Sequence, residues 1–171
     1  MTSQAMARIG MSLSGRFLAE TWRRVLATSP DRVAPVLRLV LAGVMFPHGA
    51  QKVLGWFGGY GLAGTMEMFT KGMGIPAVLA ALAIAAEFLG PILLAAGLLT
   101  RVAAFGIGVV MVVAVATVHA TNGFFMNWSG SQKGEGFEYH LLAFGIAAAL
   151  VLRGGGAFSL DRRLAGGGER E

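Results

Sequence analysis

The chain has 171 residues, 55% of them hydrophobic and only 13% charged, with a formal net charge of +5. Soluble domains carry about 25% charged residues, and the apolar residues here gather in long runs, so the composition excludes an ordinary soluble core and points to a membrane protein. Cysteine is absent, which excludes thiol–disulfide chemistry, thiolate metal ligands and cysteine-held iron–sulfur clusters within this chain.

Residues 1–34 hold Arg8, Arg16, Arg23, Arg24 and Arg32 against only Glu20 and Asp31. No apolar run in this segment resembles the core of a signal peptide. Met11, Leu18, Trp22 and Val25 fall on one helical face, with Arg16, Glu20, Arg23 and Arg24 on the other. This predicts an amphipathic helix lying on an anionic membrane surface, with Arg16, Arg23 and Arg24 as its surface contacts. A disordered basic tail is the competing expectation.

The stretch from Pro35 to Phe57 is apolar from Val36 to Phe46 except for Arg38, and then turns polar with His48, Gln51 and Lys52. Arg38 to Phe57 spans roughly 30 Å as a helix, one hydrocarbon core. Pro47 is placed to kink it. Positions 48, 51, 52 and 55 share a face, so His48, Gln51 and Lys52 form a polar stripe that needs protein or a wet cavity opposite it.

Gly58 to Ile75 is rich in glycine and aromatic residues. It reads as an interfacial loop with a short helix through Leu62, Met66 and Phe69, placed as a lid over a site. Pro76 opens a second span ending near Leu99, whose only charge is Glu87. After the Thr100-Arg101 turn, a third span runs from Val102 to about Ala120, with His119 near its end. A polar loop from Thr121 to Gly136 leads to a fourth, short span over Phe137–Leu152, which carries Glu138 and His140 at its start. Ala81 and Ala85, Ala104 and Gly108, and Gly145 and Ala149 are small pairs at four-residue spacing that would let helices approach closely.

Four spans put both termini on one side. Of the 14 Lys and Arg residues, all but Lys52, Lys71 and Lys133 fall on that side. The positive-inside rule then predicts cytoplasmic termini and a multi-pass protein of the cell (plasma or inner) membrane. The expected fold is all-α: an integral membrane four-helix bundle over residues 35–164, an N-terminal amphipathic surface helix within residues 1–34, and a polar tail over 165–171.

That orientation brings His48, Gln51, Lys52, Glu87, His119 and Glu138 to similar depth in the outer half. Glu138 and His140 are about 200° apart on a helix. The expectation is Glu138 inward, in line with Gly145, and His140 towards a neighbour or the interface. Snorkelling explains Lys52 equally well, and a structural ion pair explains Glu87 equally well. A quinone head group needs hydrogen-bonding partners at its carbonyl oxygens, a proton route and an apolar slot, which His, Lys, Glu and Gln among apolar side chains can supply. The three histidines lack a local metal-ligand spacing, so no metal site is expected. The excess arginine is accounted for by membrane sidedness, with no nucleic-acid partner.

Three stretches resemble the DoxX family: "LRLVLAGVMFPHGAQKVLGWFGG" with Arg38, His48 and Lys52, "AEFLGPILLAAGLLTRVAA" with Glu87 and Arg101, and "GGGAFSLDRRL" with Ser159 and Asp161. The resemblance covers roughly residues 35–164. It implies a small four-helix membrane protein related to a subunit of a thiosulfate:quinone oxidoreductase, with Arg38, His48, Lys52, Glu87 and Arg101 as the matching positions. The basic extension of residues 1–34 departs from the family's usual start. The expected function is a redox-associated subunit contacting quinone at the outer-leaflet polar residues, with no intrinsic cofactor. The alternative is a non-catalytic accessory or assembly subunit of a larger membrane complex, and a small-solute or proton transporter is a third, weaker option. Expected partners are the bilayer and either a redox enzyme, another membrane subunit or further copies of the chain.

Overall fold

The computed structural model describes residues 13–166, and all regular structure in that range is helical. Residues before Leu13 (Arg8 and Met11 among them), the tail from 167 on, and the side chain of Arg16 lie outside the described residues. In chain order the helices are α1 (Leu13–Leu26), α2 (Val33–Leu54), α3 (Gly61–Glu67), α4 (Ala77–Ala96), α5 (Thr100–Ala114), α6 (Glu138–Arg153) and α7 (Leu160–Leu164). A π-helical turn, Val115–His119, prolongs α5.

Three helices are long and apolar enough to cross a membrane: Val33–Leu54, Ala77–Ala96 and Thr100–Asn122. Pro47 and Pro91 sit inside α2 and α4, and both helices continue through them. The 16 residues of α6 fall short of the ~20 that a bilayer core asks of an untilted helix. It nevertheless packs lengthwise on α5 and also touches α2, while α4 packs on both α2 and α5.

Leu41, Met45, Leu94, Ile107 and Leu150 fill the centre with almost no exposure. Lipid tails are as apolar as these side chains, so close packing supplies the cohesion between such helices. Glycine allows it. A Cβ at Gly49 would run into the backbone of Glu87, so α2 and α4 touch backbone to backbone there. A Cβ at Gly106 would lie 3.2 Å from that of Ala86, and one at Gly108 would lie 3.6 Å from that of Ala147.

Of the three small pairs expected at interfaces, Ala104 and Gly108 are buried, but Ala81 and Gly145 are exposed. The inward stripe of α6 is His140, Ala143, Ala147 and Leu150. Because α6 is apolar on every side, its own pattern could not select that face. Gly145 points outwards with nothing within 4 Å of its Cβ position.

Candidate functional site

The two ends of the helix assembly use their polar residues differently. At the end where α2 and α5 begin and α4 and α6 finish, charged side chains bind backbone. The buried Arg38 donates from Nη1 to the carbonyls of Leu94 (3.0 Å) and Ala95 (2.9 Å), and from Nη2 to that of Phe158 (3.1 Å). Those first two carbonyls belong to the last turn of α4; that of Leu94 also accepts from the Gly97 N–H at 3.0 Å, and helix ends of this kind leave carbonyls for such side-chain donors. Gly97 must be glycine here: its φ is +66°, and a Cβ would lie 2.7 Å from that of Ser159.

The buried Asp161 accepts from the backbone N–H of Leu99 at 2.6 Å and of Thr100 at 2.9 Å. It thereby caps α5 from a distant part of the chain and holds Leu99 at φ 49°. Arg101 donates to the carbonyls of Ala27, Val151 and Leu152, finishing α6 and tying α1 to it. Asp31 caps α2 through the N–H groups of Val33 (2.7 Å) and Ala34 (2.9 Å) and accepts from the Ser29 hydroxyl. The Ala34 N–H, followed by the Ser29 hydroxyl, holds its carboxyl down to about 2.

At the other end, side chains meet side chains. Lys52, on the last turn of α2, places Nζ 2.6 Å from Oε2 of Glu87 on α4. The Gly49 contact brings the two helices close enough for this reach. Glu87 is buried and Lys52 is partly exposed. Thr65 of α3 donates to the Lys52 carbonyl at 3.2 Å, which fastens the short helix over the pair. Gln51 belongs to the same turn but donates to the Phe57 carbonyl at 3.4 Å and so braces the turn.

His48 lies one helical turn before Lys52, exposed, and makes no hydrogen bond to the described residues. Its ring is 6.0 Å from that of Tyr139 and it interacts electrostatically with both Lys52 and Glu87. Tyr139 donates to the Met45 sulfur at 3.3 Å and contacts His140 with ring centroids 5.4 Å apart. His140 in turn lies against His119, with ring centroids 4.0 Å apart and the rings tilted by 39°. His119 closes the π-helical turn, and its Nδ1 lies 2.8 Å from the Glu135 carbonyl oxygen. His140 is buried, and its Nδ1 has no hydrogen-bond partner among the described residues.

The expected orientation of α6 is therefore reversed. His140 faces inward, while Glu138 accepts from the backbone N–H of Met126 at 3.1 Å and the indole of Trp128 at 3.4 Å. Glu138 shares its face with the exposed Gly145 and serves to pin the loop. Of the six expected residues, His48, Lys52, Glu87 and His119 adjoin one polar chain. Gln51 and Glu138 brace its flanking loops. Tyr139 and His140 are added to it. Their signal in the sequence was the continuous Glu138-Tyr139-His140 run, in which only one face can turn inward.

The chain is thus an all-helical protein with three membrane-capable helices and a string of protonatable groups at one end of them. The sequence profile of the DoxX family matches residues 33–120, and the protein belongs to that family. The match takes in α2 through α5 with Arg38, His48, Lys52, Glu87, Arg101 and His119. None of the curated proteins and none of the solved structures matches the chain.

Proposed function

We propose that this DoxX-family protein is a redox-associated membrane subunit that receives a quinone head group beside Lys52, Glu87 and His48. The observation that carries the reading is the 2.6 Å Lys52–Glu87 pair, buried on one side and flanked on the other by an exposed imidazole without a hydrogen-bond partner among the described residues. A quinone carbonyl oxygen accepts hydrogen bonds, and His48 and Lys52 are donors at neighbouring positions of one helix face. Glu87 holds the Lys52 ammonium in place and takes a proton when that pair opens. When electrons from a partner reduce the quinone to the quinol, His140 and His119 continue the series towards the 123–137 loop as carriers for the two protons its oxygens take up.

In this reading α6 is the fourth span, flanked by a thinned bilayer that compensates for its short length. Residues 35–164 form the membrane domain, residues 1–34 a surface segment and 165–171 a tail. Both termini are cytoplasmic in the cell membrane, and Arg23 and Arg24 meet the headgroups. The test is quinone binding by the full-length protein in lipid nanodiscs. His48→Ala and Glu87→Gln should each weaken it about tenfold or more, the cost of one buried charge-assisted hydrogen bond. Unchanged affinity in both variants contradicts the assignment.

A second reading, an accessory subunit of a larger membrane complex or a self-associating one, draws on the rim of the same end. Phe57, Tyr60, Phe125 and Trp128 are all more than two-thirds exposed there. Copurification of a stable partner that is lost on changing Phe125 and Trp128 to Ser would favour it.

A further inference from the structure

We propose that the protein binds one anionic phospholipid in the groove between α1 and α5, independently of the quinone reading. The groove encloses about 600 Å³ at the arginine-rich end. Its walls are apolar: Phe17 and Val25 from α1, Val102 and Phe105 from α5, and Val151 from α6. Its rim is polar, with Glu20, Thr21 and Arg24 on α1 and Arg101 on α5.

The position of the groove names the occupant. Val102 and Phe105 lie on the outward face of a membrane-capable helix and are 53% and 63% exposed. That face continues along α5 through the exposed Val109 and Val112. A surface that meets acyl chains along the rest of the helix runs under α1 without a break. Water there would wet apolar walls, whereas an acyl chain continues the lipid layer.

The headgroup follows from charge. Arg101 has its guanidinium committed to three backbone carbonyls, so it is not the phosphate ligand. Arg23 and Arg24 close the last turn of α1 and are exposed. Arg24 is held at 2.7 Å by Glu20, the one acid on the rim, but both partners are largely exposed. An exposed pair of this kind contributes little, so a phosphate can take the guanidinium over. Arg24 on the rim and its exposed neighbour Arg23 favour a headgroup with net negative charge over a zwitterionic one.

The test is native mass spectrometry of the full-length protein released from nanodiscs containing equal amounts of phosphatidylglycerol and phosphatidylcholine. The native chain should retain one phosphatidylglycerol, preferred about 10- to 30-fold over phosphatidylcholine, as two surface arginines imply. Val102→Trp, which fills the groove from α5, should abolish retention of either lipid. Phe17→Trp fills it from the α1 side, outside the packed helices, and should do the same should the first variant fail to fold. Replacing Arg23 and Arg24 by Gln should keep one lipid bound and erase the headgroup preference. Equal retention of the two lipids by the native chain, or undiminished phosphatidylglycerol in a folded groove-filling variant, overturns the proposal.

Discussion

The arginine end and the histidine end of this protein carry comparable numbers of polar side chains in the same apolar helices, yet they differ in what those side chains bind. At the arginine end, Arg38, Arg101, Asp31 and Asp161 are bonded to backbone groups at helix termini. At the histidine end, Lys52 pairs with Glu87, His140 lies against His119, and His48 is open. The first arrangement locks a fold. The second is the arrangement that the proposed quinone site draws on.

Changes at the two ends should separate stability from binding. The largest stability loss is expected for Asp161→Ala, which leaves two backbone N–H groups of α5 without an acceptor. At 1–3 kcal/mol for each unsatisfied buried donor, the loss is roughly 2–6 kcal/mol, read as a fall in thermal midpoint in detergent. Next is the buried ion pair. Lys52→Met alone should cost up to about 3–5 kcal/mol, whereas Lys52→Met with Glu87→Met should fold nearly as well as the native chain. A double variant as unstable as the single one would make the pair a structural lock like its counterpart at the other end, and the contrast between the ends would collapse.

Gly49→Ala sits between these extremes. Its Cβ must displace the α4 backbone at Glu87, at a cost of about 1–3 kcal/mol, and it should part Lys52 from Glu87 as well. The smallest effect is the pH dependence from Asp31. Its carboxyl is held down to about 2, below an ordinary value near 4. A depressed pKa stabilises the fold above the ordinary value, and that contribution fades as pH falls from about 4 to about 2. Thermal midpoints recorded across that range should drop more for the native chain than for Asp31→Asn.

Much of this contrast was legible in the sequence. Hydropathy placed the three long helices, because an unbroken apolar run of about 20 residues has few other uses. The polar stripe at His48 and Lys52 and the lone Glu87 were also visible, since charge inside such a run is costly. The face of α6 was not. Ala, Leu and Val surround that helix, so periodicity carried no direction, and the outward Gly145 was taken as the seam. The capping by Asp161 was equally hidden. It links residues 61 and 62 positions apart, and a single Asp in a polar tail gives no sign of the helix start it will meet.

Side by side, quinone affinity and thermal midpoint of the native chain and of the Lys52→Met/Glu87→Met variant give the most direct measurement, on full-length protein in nanodiscs. The account predicts a midpoint within a few degrees of native, because a buried pair replaced by apolar residues of similar volume is close to neutral, and quinone binding weakened by roughly tenfold or more. Native affinity in that variant would show that the Lys52–Glu87 pair, like the capping side chains of the arginine end, serves to hold the helices together.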